Sequence, residues 1–258
     1  MSSYDAWADY YDLIHTGLPG EAEFYVGQAV RIGGITLELG CGTGRLAIPM
    51  AMSGVHVVGL DNSRPMLEIC QAKIEAIGDT PGRLDLVEAD MIDFSLDARF
   101  DFIAMAYRTF MHALTQEDQH ACLGAVHRHL KDDGLFVLNV WAARPSLIAR
   151  FLGGHGGTLR LIGRHPAPEG NGRLVHYCAA TYNEHAQTFT ETHVLEEVDE
   201  DGRITGAIDL PLTRVWFTPR EMGNLLRSCG FTVEAVFGDF DCRPFTDSSS
   251  EMIWLLRK

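Results

Sequence analysis

Ile35-Thr36-Leu37-Glu38-Leu39-Gly40-Cys41-Gly42-Thr43-Gly44-Arg45 is the stretch on which the reading of this chain turns. Five residues of strand type run into a turn with glycine at every second position, and a helix-like stretch, Arg45 to Ser53, follows until Gly54 ends it. Glycines in such a turn let the backbone approach a ligand closely, and the free N–H groups of the following helix face that ligand. A sharp strand-to-helix turn without a ligand is the competing explanation, and the surrounding sequence has to decide between them.

Outward from the turn, short apolar runs alternate with helical patterns, the signature of a parallel sheet with helical crossovers. Val55 to Leu60 is a second strand. Ser63 stands at a helix N-cap with Pro65 in the first turn, and Met66, Leu67, Cys70, Ile74 and Ile77 keep helical spacing up to Gly78. Leu84 to Glu88, Phe100 to Met105 and Leu135 to Val140 supply three more strands, and Gln116 to Leu130 a helix capped by Thr115. Right-handed crossovers place the carboxyl ends of these strands, and with them the ligand crevice, along one edge.

The pattern changes after Trp141. Gly153 to Arg173, rich in Gly, Pro and His, predicts a loop or lid, and Leu174 to Tyr182, Thr188 to Val198 and Arg203 to Trp216 predict antiparallel strands, the last two joined at Asp201-Gly202. Thr218-Pro219-Arg220-Glu221 is a capping box that opens a helix ending at Gly230. Phe231 to Phe237 and Met252 to Leu256 then close the chain as a hairpin. The expected architecture is α/β, a doubly wound, seven-stranded, mostly parallel sheet with a C-terminal antiparallel hairpin and an inserted antiparallel β lobe. In domain terms, residues 1–30 form a helical cap, 31–142 and 216–258 the core, and 143–215 an inserted loop and lobe that covers substrate or meets a second copy.

The chemistry of the turn narrows the ligand. Dinucleotide sites place a third glycine at the sixth position of their motif, where this chain has Arg45, and Glu38 just before the turn would repel a pyrophosphate. A carboxylate there suits a ligand that carries an ammonium group. A second acid, Asp61, ends the next strand about twenty residues on, a separation that fits a second-strand carboxylate at a nucleotide-type site, and a third, Asp90, follows the strand after that. Single acids at such places serve as turn residues about as often as ligands; three at successive strand ends are hard to explain that way.

These residues resemble motif I and the acids that follow it in the class I, Rossmann-like S-adenosylmethionine-dependent methyltransferases. The resemblance covers roughly Tyr4 to Val140 and Trp216 to Lys258. It implies S-adenosylmethionine as cofactor, S-adenosylhomocysteine as product, and a cofactor site of Tyr11, Glu38, Gly40, Cys41, Gly42, Gly44, Arg45, Asp61, Asn62, Met66, Asp90, Met91, Ala106 and Tyr107. Tyr4-Asp5-Ala6-Trp7-Ala8-Asp9-Tyr10-Tyr11-Asp12 is similar to the cap of small-molecule members such as sugar N-methyltransferases and glycine N-methyltransferase-like enzymes, which implies that Tyr11 or Tyr10 touches the cofactor; an amphipathic helix that merely packs its aromatics is the alternative. Asp101 is assigned to structure.

Methyl transfer from a sulfonium needs alignment and desolvation more than acid catalysis, because the leaving group departs neutral. His112 is the candidate proton acceptor near neutral pH, against the alternative of a packed or surface histidine. Arg108, Trp141 and Arg144 are the candidate acceptor contacts, the arginines for a carboxylate or phosphate, with salt bridges to acids as the competing role. Asp239 and Asp241 are candidates from the last loop. His155, His165, His176, His185 and His193 are expected to be solvated, and Glu196 to Asp201 to be the wet face of a hairpin.

Composition bounds the rest. The chain has 258 residues, 46% of them apolar, and a net charge of −14 that disfavours a phosphate backbone as partner, so a small-molecule acceptor is expected rather than nucleic acid, with protein or nucleic-acid methylation as the runner-up and a nicotinamide oxidoreductase as the rival on a similar sheet. Six dispersed cysteines predict reduced thiols and no metal. No leader or membrane-spanning run is apparent, which predicts a cytoplasmic monomer or homodimer.

Overall fold

The computed structural model describes residues 2–143, 157–167 and 171–258. A short 3-10 turn at Asp5–Trp7 leads into α1 (Ala8–Ile14) and α2 (Glu21–Ile32). The core then follows as β1 (Ile35–Leu39), α3 (Ala47–Met52), β2 (His56–Asp61), α4 (Arg64–Ile77), β3 (Arg83–Glu88), β4 (Phe100–Met105), a 3-10 turn at Thr109–His112, α5 (Gln116–His129) and β5 (Leu130–Trp141). The lobe is β6 (Arg160–Pro166), β7 (Arg173–Asn183), β8 (Thr188–Val198) and β9 (Ile204–Val215); α6 (Pro219–Ser228), β10 (Thr232–Phe237) and β11 (Glu251–Arg257) return to the core.

Two sheets result. The seven-stranded sheet has the order β10-β11-β5-β4-β1-β2-β3, parallel except that β11 runs antiparallel to both β5 and β10. The lobe is a four-stranded antiparallel sheet in the order β6-β7-β8-β9. Strands β1, β4 and β11 are buried almost from end to end, as inner strands of a sheet covered on both faces must be. One apolar layer packs α5, α6 and the Thr109–His112 turn on the sheet, and the other packs α2 and α3 through Phe24, Tyr25, Leu46 and Met50. The expected cap boundary at residue 30 falls inside α2, whose Phe24, Tyr25 and Ala29 are core residues.

The chain winds outward from β1 through β2 to β3, then crosses back to β4 and β5. The carboxyl ends of β1 and β4 are therefore the switch point at which the connecting loops part and leave a crevice. Local signals set several boundaries. Thr115 and Thr218 both make full capping boxes, with Asp118 and Glu221. Ser63 occupies the expected cap position of α4, but its hydroxyl donates to Asp5 Oδ1 (2.8 Å) instead of capping, and so ties the N-terminal segment to the core. Asp101 accepts from the Ile35 N–H and from Lys131, both at 2.8 Å, a structural role.

Two expectations are corrected here. Arg160 to Pro166, part of the stretch expected to be a loop, is an edge strand paired with β7; its Gly, His and Pro are tolerated because an edge strand needs only one neighbour. His176 and His193 are buried rather than solvated, because the lobe face that carries them packs against the N-terminal segment: Trp7 and Ala8 share a cluster with Leu195, Leu210 and Leu212. His185 is exposed, His165 is half-buried, and His155 lies outside the described residues. Among the described residues no helix is long and apolar enough to cross a membrane.

Candidate active site

The crevice at the switch point is lined by Tyr4, Tyr11, Glu38, Gly40, Cys41, Gly42, Arg45, Asp61, Met66, Ala106, Tyr107, Thr109 and His112. Its floor is the glycine turn. Gly40, Gly42 and Gly44 all have positive φ, for different reasons. A side chain at Gly40 would meet Thr109 at 2.6 Å and one at Gly44 would meet Cys70 at 2.5 Å, whereas a side chain at Gly42 would meet no protein atom within 4 Å and would project into open space.

Glu38 is 3% exposed, and its Oε2 has no hydrogen-bond partner among the described residues. Burial pushes its carboxyl up to about 8, against the pull of the Arg45 guanidinium. An unpartnered buried carboxylate oxygen beside open space is the mark of a site built for a donor that the protein does not supply. Arg45 is held elsewhere: it pairs with the buried Glu21 at 2.7 Å and stacks 4.6 Å from the Tyr107 ring centre. Glu21 also accepts from the N–H groups of Leu18 (3.2 Å) and Tyr107 (2.9 Å), so one acid at the start of α2 fixes two walls of the crevice.

Asp61 accepts from the N–H of Gly42 through one oxygen and from that of Ser63 through the other, both at 2.8 Å, which fixes its plane and leaves each oxygen a lone pair. Burial pushes its carboxyl up while these N–H groups pull it down. A neighbouring recess, lined by Ser2, Tyr4, Asp61, Asn62, Ala89, Met91 and His112 among others, continues the crevice past Asn62 and Met91. Asp90 lies just outside both linings. It accepts from the Ile92 N–H (3.0 Å) and from Asn62 Nδ2 (3.3 Å).

The roof comes from the N-terminal segment. Tyr11 lines the crevice and packs on His15 with ring centres 4.8 Å apart, while Tyr10 turns away to donate to Glu197 of the lobe at 3.4 Å. Tyr4 Oη and His112 Nε2 are 3.0 Å apart. Burial, reinforced by the charge of Arg214, pushes the His112 imidazole down to about 3, although the Thr213 main chain hydrogen-bonds the ring and opposes the shift. The ring is therefore neutral at ordinary pH, donating one hydrogen bond to the Thr213 main chain and leaving its other nitrogen to accept from the Tyr4 hydroxyl. Burial likewise raises the Tyr4 phenol to about 12.

Tyr107 and Arg108 follow β4 with φ of 51° and 68°, a region that side chains rarely occupy, and the turn they make sends Tyr107 into the crevice and Arg108 to its far side. There a second cavity of about 140 Å³ lies between core and lobe, lined by Arg108, Met111, Trp141, Tyr182, Phe189, Glu191, Arg214 and Trp216 among others. The Thr109–His112 turn borders both, with Thr109 and His112 in the lining of the crevice and Met111 in that of the cavity. Arg108 donates through Nε and Nη2 to Glu251, which also accepts from Asn139 Nδ2 at 3.0 Å.

Of the remaining candidates, Arg144 lies outside the described residues. Asp239 and Asp241 are corrected: neither lines the crevice, both pair with Arg243, and Asp239 also accepts from the N–H groups of Asp241 and Arg243. In the lobe, Cys178, Glu191 and His193 bring ligand-type atoms within 4.8 Å of one another, a grouping hidden in the sequence because it crosses strands; the Arg214 guanidinium already sits on Glu191. Tyr4, Glu21, Thr109, Glu251 and Arg214 went unpredicted. Each belongs to an ordinary local pattern and gains its place only through tertiary packing.

A doubly wound sheet whose first strand ends in an acid and a glycine turn, with an acid at the end of the second, defines a nucleotide-type cofactor site of the methyltransferase kind. Residues 36–134 match a family model described as a methyltransferase domain. Over 268 aligned residues the chain is 31% identical to the cypemycin N-terminal methyltransferase of a Streptomyces species, covering 100% of this chain and 98% of that protein. It is 28% identical over 189 residues to a dTDP-3-amino-3,6-dideoxy-alpha-D-glucopyranose N,N-dimethyltransferase from Streptomyces fradiae, covering 67% of this chain and 70% of that one. Among solved structures, the CcbJ methyltransferase from Streptomyces caelestis superposes with a TM-score of 0.83 at 25% identity, covering 100% of this chain and 98% of that one. The chain belongs to the class I S-adenosylmethionine-dependent methyltransferases, and its cofactor is S-adenosylmethionine.

Proposed function

We propose that this methyltransferase acts on an amine nitrogen of a small, partly apolar acceptor. The observation that carries the proposal is the aromatic cavity of Trp141, Tyr182, Phe189 and Trp216, set one turn away from the cofactor crevice and closed by the lobe. Such a cavity takes a compact ring or side chain. The two named relatives, one acting at an N-terminus and one an N,N-dimethyltransferase, support nitrogen over the oxygen equally allowed by sequence. The net charge of −14 supports an acceptor that is not nucleic acid.

In this reading Glu38 holds the cofactor's ammonium group, Gly42 gives it room, Asp61 takes the ribose hydroxyls, and Asn62, Asp90 and Met91 border the adenine, with Met66, Ala106 and Tyr107 walling the crevice and Tyr11 closing over the methionine end. Bound there, the cofactor would supply a methyl group carried on a sulfonium, whose transfer to an amine lone pair leaves a neutral thioether and a methylated ammonium. The protein's part is to align, to exclude water and to admit an uncharged amine. His112, neutral and joined to Tyr4, holds that hydroxyl over the crevice and is assigned a positioning role rather than that of a proton carrier.

The test is release of S-adenosylhomocysteine with three acceptor sets: amino sugars, short peptides with free N-termini, and alcohols matched to them in shape. Turnover with an amine set and none with the alcohols is expected. Turnover confined to alcohols, or to nucleic acid, would overturn the proposal.

A further inference from the structure

The cavity between core and lobe contains more cationic donor capacity than its acids consume. Arg214, on β9, is 16% exposed; it extends across the cavity with its guanidinium 5.0 Å from the Phe189 ring centre and pairs with Glu191 through Nη2 alone. Its Nε is buried with no acceptor among the described residues. Arg108 enters the same cavity from the core side, with Nε and Nη2 committed to Glu251 and no acceptor for Nη1 among the described residues. Glu251 lies behind Arg108 and lines no part of the cavity, so the wall itself presents two guanidinium groups and one carboxylate, Glu191.

Burial, and with it the neighbouring Arg108 charge, disfavours the charged form of Arg214. A buried N–H donor without an acceptor is costly, and a planar guanidinium is matched to a carboxylate more closely than to any other common anion. With Glu251 on Arg108 and Glu191 on Arg214 the charges balance, so what the wall offers an anion is uncommitted N–H donors, Arg214 Nε and Arg108 Nη1. Beside the arginines the cavity is lined by Met111, Trp141, Tyr182, Phe189 and Trp216, a largely apolar wall.

We propose that the lobe cavity is a carboxylate subsite, in which Arg214 and the free edge of Arg108 hold an acid group of the acceptor while its apolar body lies against Trp141, Phe189 and Trp216. The inference rests on the reading that the acceptor enters from the lobe side. It makes Arg214 a specificity residue, selecting acceptors that carry both an amine and, some atoms away, an acid. Sequence alone could not single it out among the scattered arginines, since its partners come from β8 and from the turn after β4.

The experiment uses the full chain saturated with S-adenosylhomocysteine and reads quenching of Trp141 and Trp216 fluorescence by 3-phenylpropionate and by its uncharged amide. These probes contain no amine, so the result is independent of whether amines are methylated. The acid should bind at least about tenfold more tightly than the amide, and the preference should fall below about twofold in Arg214→Gln. Because that variant leaves Glu191 unpaired, the double variant Arg214→Gln, Glu191→Gln is measured beside it, with calorimetric affinity for S-adenosylhomocysteine showing that both fold. Equal binding of acid and amide, binding of neither, or a preference that survives in the double variant would each overturn the carboxylate subsite. Amine turnover in the assay above would stand or fall separately.

Discussion

Glu38 joins two properties that pull in opposite directions. Its folded pKa of about 8 lies above the ordinary 4.5, so the folded protein without cofactor binds a proton that the unfolded chain gives up. The stability associated with that proton is fully present below pH 4.5 and is lost as pH rises through 8, a cost on the order of a few kcal/mol at the upper end. Glu38→Gln should therefore raise the melting temperature of the cofactor-free protein at pH 8 and flatten its decline between pH 5 and 8, while lowering affinity for S-adenosylmethionine at least about tenfold. A variant with unchanged melting temperature and unchanged affinity would show that the buried carboxylate does neither job.

The glycines separate in the same way. Gly42→Ala meets no protein atom and should fold, at a backbone cost of about 1–2 kcal/mol for its φ of +53°, yet lose cofactor binding because the new methyl fills the crevice. Gly40→Ala should fail earlier, since Thr109 stands 2.6 Å from the added atom and φ is again positive. Thermal denaturation and calorimetry on the pair would distinguish the two outcomes. Gly42→Ala with wild-type affinity would place the cofactor elsewhere.

At the scale of elements, the contact between the N-terminal segment and the lobe is assembled from neutral histidines. His15 is pushed down to about 3, mainly by burial and then by the neighbouring His193 and Arg214; His176 and His193 are pushed down to about 4, and their rings share a 2.8 Å contact from Nε2 to Nδ1. A histidine kept neutral in this way stabilises the fold above its unfolded pKa near 6.5, and that contribution is lost as pH falls from there towards the folded values. Amide protection factors along β7, β8 and residues 4–15 should fall between pH 7 and 5 well before those of the central strands respond. Uniform exchange across lobe and core over that range would contradict it.

The sequence disclosed these elements unevenly, for physical reasons. The glycine turn, the two threonine capping boxes and the buried parallel strands are local signals and could be read with few errors in position. β6 was hidden because an edge strand tolerates the Gly, His and Pro that otherwise mark loops. Glu38 and Asp61, the acids expected at the crevice, were legible because each stands at or beside the end of a strand and both line it, whereas Asp90, beyond the end of β3, lies just outside. Glu21, Tyr4 and Arg214 were not, because an acid in a first helical turn, a terminal tyrosine and a strand arginine look alike wherever they sit; only packing brings Tyr4 into the crevice, Glu21 behind its walls and Arg214 into the neighbouring cavity. The buried histidines were misjudged for the same reason, as strand alternation does not say which face meets another element.

For the whole molecule, the crevice is closed by joining three separated parts of the chain: the segment around Trp7, the core at Met66, and the lobe at Leu195, Leu210 and Leu212. Trp7 is fully buried there, so Trp7→Ala should cost about 3–5 kcal/mol by chemical denaturation. Because the lost contact holds the roof over the crevice, turnover should fall with any amine acceptor even at temperatures where the variant remains folded. A loss of stability without loss of turnover would mean that the roof need not stay closed.

The central claim is that the crevice at the ends of β1 and β2 holds S-adenosylmethionine through Glu38 and Asp61. Isothermal titration of S-adenosylhomocysteine into the wild type, Glu38→Gln and Asp61→Asn tests it most directly. The structure predicts one saturable site in the wild type and a loss of at least about tenfold in each variant; no heat in the wild type, or three indistinguishable isotherms, would contradict it.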